Sequence, residues 1–232
     1  MARLSVFVPV YNERATILEL LTRVVAVDIP GVSLEVLVGD DGSTDGTRDL
    51  LAAYAHPSVS IEFMPANVGR GGVLKHLWRK ATGDLYVHQD ADLEYDPLDY
   101  RRLVAPLLAG EADVVYGSRF KGTIQGMRFA NRVGNLTMTA ACSLLYGVQL
   151  TDLMTCYKMY RADLTRGLSV RANGFDFEAE FTARLAQRGA RFAEVPVSFH
   201  GRTFEEGKKI RAFDAVRVMR ELLRCRFTAE VS

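Results

Sequence analysis

Three acids recur at every second position, Asp90, Asp92 and Glu94, directly after residues 84–88, which read as a β-strand. In an extended chain, residues i and i+2 point to the same side. Carboxylates held side by side repel one another unless a cation lies between them. Hard oxygen donors suit Mg²⁺ or Mn²⁺, and such ions keep positions open for a substrate's phosphates. The surroundings agree: residues 84–99 hold six acids (Asp84, Asp90, Asp92, Glu94, Asp96, Asp99) and no Lys or Arg. The plain alternative is a solvated acidic turn.

A block of opposite sign follows. Residues 119–132 contain Arg119, Lys121, Arg128 and Arg132 and no acid. Fixed cations suit a phosphate; the alternative is a solvated basic loop. A hydroxyl needs a general base before it can act as a nucleophile. A phosphate monoester, with a second pKa of about 6, is largely dianionic at neutral pH and needs only to be positioned. Asp152 is the carboxylate on which this choice turns, either as base for a hydroxyl or as the group that orients cations around a phosphate. Glu178 and Glu180 are weaker candidates or helix-surface acids, and His200, beside a strand end, reads as structural more readily than as a ligand. The turn Gly69-Arg70-Gly71-Gly72 lets backbone approach a phosphate at a helix N-terminus. It is neither GxxxxGK[ST] nor GxGxxG, and its plain alternative is a tight turn.

The elements that would position these groups alternate. Apolar runs at 4–10, 34–39, 59–64, 84–88 and 113–116 read as strands, and helical patterns separate them. The first helical pattern puts Ile17, Leu18, Leu21 and Val24/Val25 on one face. Such alternation with short connections is the signature of βαβ units, an α/β fold with a mostly parallel sheet flanked by helices on both faces. Ligands bind such sheets beyond the carboxyl ends of the strands. The polar turns at 11–13, 40–43, 67–72 and 90–94 all belong there. The second half predicts helices near 130–146, 177–188 and 208–227 and strands around 157 and 192–199. The expected organisation is a catalytic domain over 1–206 and a basic amphipathic helix and tail over 207–232.

Composition narrows the function classes. The 232 residues carry 29 Lys+Arg against 28 Asp+Glu, a net charge of +1. A bulk nucleic-acid binder would be basic overall. Charged residues at 25% and hydrophobic ones at 48% fit a folded globular chain. Three cysteines without CxxC spacing argue against a disulfide framework and for a reduced, cytoplasmic setting. The N-terminus has no apolar leader with a cleavage site. The longest uncharged stretch, 133–151, is interrupted by Asn, Thr, Ser and Gly, so no transmembrane segment is expected. Residues 199–227 hold eight Lys/Arg and four Asp/Glu. Ile210, Phe213, Val216, Met219, Leu223 and Phe227 recur there at helical spacing, with Arg217, Arg220 and Arg224 on another face. Such a helix lies on an anionic membrane surface or packs on the domain through its apolar face.

The motifs in order resemble family 2 glycosyltransferases of the GT-A fold. They are Val8-Pro9-Val10-Tyr11-Asn12-Glu13, Asp40-Asp41-Gly42-Ser43-Thr44-Asp45-Gly46-Thr47, Asn67-Val68-Gly69-Arg70-Gly71 and Asp90-Ala91-Asp92-Leu93-Glu94. Later motifs resemble the polyprenyl- and dolichyl-phosphate sugar synthases: Gly117-Ser118-Arg119-Phe120, Thr151-Asp152-Leu153-Met154-Thr155-Cys156-Tyr157-Lys158, Gly174 to Glu180, Glu194-Val195-Pro196-Val197, and Gly201 to Lys209.

That resemblance implies an inverting, metal-dependent transfer of a hexose from a nucleotide sugar, of GDP-mannose or UDP-glucose type, to a polyprenyl phosphate. It implies that Pro9, Tyr11, Glu13 and Asp41 line the base and ribose pocket, and that Gly69, Arg70 and Gly71 contact the nucleotide side of the donor. Asp90 would hold ribose or metal, and Asp92 and Glu94 would bind Mg²⁺ or Mn²⁺ on the diphosphate. Arg119 would meet the acceptor phosphate, helped by Arg128, Arg132, Arg202 and Lys208. The expected placement is cytoplasmic, peripheral on the inner face of the membrane. Two other readings stay open: a soluble hydroxyl acceptor with Asp152 as base, and a catalytically silent nucleotide-sugar-binding protein.

Overall fold

The computed structural model describes residues 1–201 and 212–228, with 212–214 as backbone only. Strands β1 (Ala2–Val10), β2 (Val32–Asp40), β3 (Val59–Phe63) and β4 (Leu85–His88) alternate with helices α1 (Ile17–Val25), α2 (Thr47–Ala53) and α3 (Arg70–Trp78). Then come α4 (Tyr100–Leu108), β5 (Val114–Gln125), α5 (Phe129–Tyr146), β6 (Lys158–Arg161), α6 (Phe177–Gln187), β7 (Phe192–His200) and α7 (Ala212–Phe227). The strands form one sheet in the order β3-β2-β1-β4-β6-β5-β7. All neighbours are parallel except at β6, which runs antiparallel to both β4 and β5.

The alternation of side chains along β1 explains the layers. Leu4, Val6, Val8 and Val10 face a core shared with Ile17, Leu20, Leu21 and Val24 of α1 and with Tyr100 and Leu103 of α4. Phe7 faces the opposite core, against Val73, Leu74 and Leu77 of α3 and Phe177 and Phe181 of α6. A strand covered on both faces reads as an unbroken apolar run, which is why β1 is legible in sequence. A third, smaller cluster joins Cys142 of α5, Ala179 of α6 and Val218 and Leu222 of α7.

Three expectations change. On α1, Leu18 is 39% exposed and Leu20 is buried, because the inward stripe follows i, i+3, i+4, i+7 from Ile17. β5 runs to Gln125 rather than ending at Tyr116, since its pairing with β7 resumes at Thr123 after a register shift. The last helix is described from Ala212, and its expected start near 208 and the expected boundary at 206/207 both lie outside the described residues. It packs through Val218, Leu222 and Cys225, whereas Val216, Leu223 and Phe227 of the expected packing face are exposed.

All three cysteines are free and buried. Burial pushes the Cys142 and Cys225 thiols up to about 12, so they stay protonated and unreactive at neutral pH. Titration with a chromogenic disulfide is expected to find almost no fast-reacting thiol in the native chain and three after denaturation.

Candidate active site

The parallel strands β1 to β4 all end on one rim, and β5 and β7 end there too. Antiparallel β6 begins there, so Lys158 stands opposite Tyr116 at the same level. Every polar turn singled out from the sequence is gathered on this rim.

The turns after β1 and β2 are tied together. Asn12 adopts the left-handed region (φ 54°), which its short polar side chain tolerates. Its N–H donates to Ser43 Oγ (2.9 Å), and its Oδ1 accepts from Thr44 N (2.8 Å). Glu13 N donates to Thr47 Oγ1 at 3.0 Å. Pro9 and Tyr11 are part-exposed beside this knot, and Glu13 is buried. Asp41 is buried, with both oxygens turned to the glycine turn: they accept from Val68 N (2.6 Å) and Gly69 N (2.9 Å). Burial raises its carboxyl above the usual range against those two hydrogen bonds.

The glycines have a packing reason of their own. A Cβ on Gly71 would stand 2.8 Å from Phe177, and one on Gly69 2.5 Å from the Asn173 carbonyl oxygen. Gly71 N already donates to that carbonyl at 2.7 Å. Gly71→Ala is expected to cost about 1–3 kcal/mol, through forced displacement of α6. A lower urea midpoint at unchanged slope would show it.

The acidic segment is a turn, not an extended run. Beyond His88 no ladder enforces alternation, and Leu93 takes a left-handed conformation (φ 62°). Three hydrogen bonds fix the turn: Glu94 N to Asp92 Oδ1 (3.2 Å), Thr16 Oγ1 to Ala91 O (2.7 Å) and His200 N to Glu94 O (2.9 Å). The block also divides. Asp84 accepts from Arg3 N at the far end of β4, Asp96 caps the turn at Leu98, and buried Asp99 accepts from Ser198 N and Arg102. Asp90, Asp92 and Glu94 remain on the rim, half-buried.

Asp90 accepts at Oδ1 from Arg70 Nε (3.0 Å). Arg70 reaches on to Glu178 through Nη1, and Lys158 Nζ lies 2.5 Å from the other Glu178 oxygen. The chain Asp90–Arg70–Glu178–Lys158 thus alternates in sign across the turn after β4, α3, α6 and β6. Burial raises the Asp90 carboxyl, but Arg70 outweighs that and holds it below its usual range. Burial first, then the charges of Arg70 and Lys158, keep His88 neutral. Lys158 is fully buried, 4.7 Å from the centre of the Tyr116 ring. Glu178 and Glu180 are not surface acids. Both are buried, the latter against Arg184 and Arg224.

Across the rim, Arg119 forms a two-pronged pair with Asp152: Nε to Oδ2 at 2.7 Å and Nη2 to Oδ1 at 2.8 Å. The backbone N of Arg119 adds a third bond (3.1 Å) and Asn135 Nδ2 of α5 a fourth (2.7 Å). Asp152 is fully buried. Burial pushes its carboxyl up, but Arg119 and the other donors bring it below the usual range. A guanidinium carries five N–H donors, and Asp152 engages two of them. The Arg119 guanidinium carbon lies 5.0 Å from the centre of the Phe199 ring, and the Glu94 charge acts on it. Glu194 supports the segment from behind, accepting from Thr151 N (2.7 Å) and Asp152 N (3.1 Å) and pairing with Lys121.

Two groups are therefore brought together, one of mixed charge around Asp41, Gly69, Arg70 and Asp90, and a cationic one around Arg119. Arg128 and Arg132 sit exposed at the start of α5, Arg132 with its guanidinium 5.8 Å from the Phe120 ring centre. Arg202 and Lys208 lie outside the described residues. Among the described residues, the one trio of His, Cys, Asp or Glu with ligand atoms within 4.8 Å of one another is Glu180, Glu221 and Cys225. Arg224 already pairs with both acids of that trio. Asp92 and Glu94 are hard oxygen donors on an accessible rim and fit a divalent cation; Asp90 offers it less, with one oxygen on Arg70. Sequence reasoning missed Lys158, Glu194 and Asn135 as site residues. The first two lie inside quoted motifs, and Asn135 is a polar residue in an uncharged helix.

The family model for glycosyl transferase family 2 matches residues 5–168. An undecaprenyl-phosphate mannosyltransferase of Micrococcus luteus is 32% identical over 219 residues, which span 89% of this chain and 87% of that one. Glycosyltransferase AglJ of Haloferax volcanii is 30% identical over 201 residues, 85% of this chain but only 63% of its own length. Among solved structures, glucosyl-3-phosphoglycerate synthase from Mycobacterium tuberculosis, in complex with Mn²⁺, uridine diphosphate and phosphoglyceric acid, superimposes with a TM-score of 0.75. It covers 99% of this chain and 80% of its own, at 21% identity, a likeness of fold.

Proposed function

The chain belongs to glycosyl transferase family 2, and from that premise we propose that it moves a hexose from a nucleotide sugar to a polyprenyl phosphate, with inversion and with a divalent cation. The observation that carries the acceptor class is the state of Asp152. Four N–H groups surround its two oxygens, it is buried, and its pKa is lowered. A carboxylate so held is a poor base and a good anchor for Arg119. The identity to the Micrococcus luteus mannosyltransferase supports the same reading.

In this reading the turns of Pro9, Tyr11, Glu13 and Asp41 line the base and ribose, and the Gly69-Arg70-Gly71 turn with Asp90 holds the donor beside them. Asp92 and Glu94 hold Mg²⁺ or Mn²⁺, which when bound neutralises charge gathering on the leaving diphosphate. Arg119, with Arg128 and Arg132 nearby, orients the acceptor phosphate. A phosphate oxygen attacks the anomeric carbon from the face opposite the diphosphate. The new C–O bond forms as the old one breaks, and its electron pair leaves with the nucleoside diphosphate. No proton has to be removed from a dianionic acceptor. The work takes place on the cytoplasmic face of a membrane.

The test is incubation with Mn²⁺, several nucleotide sugars and a short polyprenyl phosphate, with the product identified by mass. A glycolipid is expected. Transfer to a hydroxyl acceptor alone would overturn the proposal. Asp152→Asn separates the two roles: as an anchor its loss costs about tenfold in kcat and leaves the acid limb of the pH–rate profile in place. As a base its loss would cost about 10²–10⁴-fold and erase that limb.

A further inference from the structure

Helix α5 has two faces of opposite character. Inward, Asn135 and Thr139 hold the Asp152 segment. Outward, Phe129, Val133, Leu136 and Leu144 follow one helical stripe and are 81%, 45%, 44% and 86% exposed. Helix α7 packs on α5, with Tyr146 Oη donating to Leu222 O at 2.6 Å. It carries a second exposed stripe, Val216, Leu223 and Phe227, at spacings of seven and four residues. These two helices hold half of the exposed large hydrophobic side chains among the described residues. No helix among the described residues is long and apolar enough to cross a membrane.

Basic residues outnumber acids around the stripes. α5 contains no acid, with Arg128 just before it and Arg132 in its first turn; α7 carries Arg217, Arg220 and Arg226 against Asp214, while its Arg224 is taken up by Glu180 and Glu221. We infer that the outer faces of α5 and α7 together form a docking surface for an anionic bilayer. Apolar side chains enter the headgroup boundary and arginines meet the lipid phosphates around them. A second copy of the chain suits the surface less well, because a two-fold contact would set the same arginines against each other. Docking on α5 puts Arg119 directly behind the helix that touches lipid, where the phosphate of a bilayer-borne acceptor stands. The inference rests on the acceptor reading above for its purpose, and on the exposed stripes for its substance.

The experiment is flotation of the full chain on phosphatidylglycerol/phosphatidylcholine vesicles and on phosphatidylcholine alone, for the native sequence and for Leu144→Glu with Phe227→Glu. Both side chains are exposed and lie outside the catalytic groups. Native protein is expected to float on the anionic vesicles and to be released by salt. The double variant is expected to bind at least about tenfold less. Transfer to a short water-soluble isoprenyl phosphate stays unchanged in the variant, and transfer to a long-chain acceptor in the vesicles falls with binding. Native protein that does not float, a variant that floats equally, or a dimer that the variant dissociates would each overturn the docking surface. Flotation as expected, with no transfer to either acceptor, would leave the surface standing and sink the acceptor reading.

Discussion

Arg119→Lys is expected to lower kcat/KM by roughly 10²–10³-fold, with the acceptor KM raised, while the fold survives. The fork of Arg119 does two things that an ammonium cannot do together. It engages both oxygens of Asp152, at 2.7 and 2.8 Å, and keeps further donors in the same plane for a second anion. A lysine retains the charge, so Asp152 is not left as an uncompensated buried carboxylate, but one ammonium serves one direction. Arg119→Ala removes the charge as well, and the orphaned carboxylate then costs about 3–5 kcal/mol of stability. Steady-state kinetics with acceptor varied, beside thermal melts of both variants, separates lost positioning from lost folding. Equal activity of the lysine variant would show that only a point charge is needed at 119.

Glu178→Ala is expected to be strongly destabilising. Glu178 is the middle anion between Arg70 and Lys158, and Lys158 is wholly buried. Removing it leaves two cations facing each other with one acid, Asp90, between them and solvent. Breaking a buried pair in this way costs about 3–5 kcal/mol. For a chain of this size that lowers Tm by roughly 10 °C. Glu178→Gln keeps the shape and some hydrogen bonding and is expected to lose less. Differential scanning calorimetry decides; a melt within about 2 °C of the native chain would mean that Lys158 gives up its proton instead.

Much of this architecture is legible in the sequence because burial on both sheet faces writes itself as apolar runs. The turns on the rim are legible for the opposite reason, as polar insertions at strand ends. The pairings are not. Arg70 meets Glu178 across 108 positions and Arg119 meets Asp152 across 33, and no periodicity says which acid finds which base. Spacing misled at Asp90, Asp92 and Glu94, where alternation belongs to a strand that has already ended at His88. It also misled at β5, whose continuation through Gly117, Ser118, Arg119 and Lys121 has no apolar pattern and exists only because β7 lies alongside. Charge blocks located the rim more reliably than they assigned its members, since Asp84, Asp96 and Asp99 serve the backbone.

The reversed strand β6 has a consequence for how the chain is made. β5 touches neither β4 nor any earlier strand; its neighbours are β6 and β7 alone. Each of β2, β3 and β4 finds an earlier strand already made when it is complete: β2 and β4 pair with β1, and β3 pairs with β2. β5 emerges from synthesis with no edge to join, and β6, which must slot between it and β4, comes some thirty residues later. The rim turns that follow β1 to β4 are therefore able to assemble during translation, while Arg119 waits on its strand for residues 158–161 and 192–200. A nascent chain stalled in the interval carries an unpaired strand edge, and that is the stage at which this protein most needs protection from aggregation.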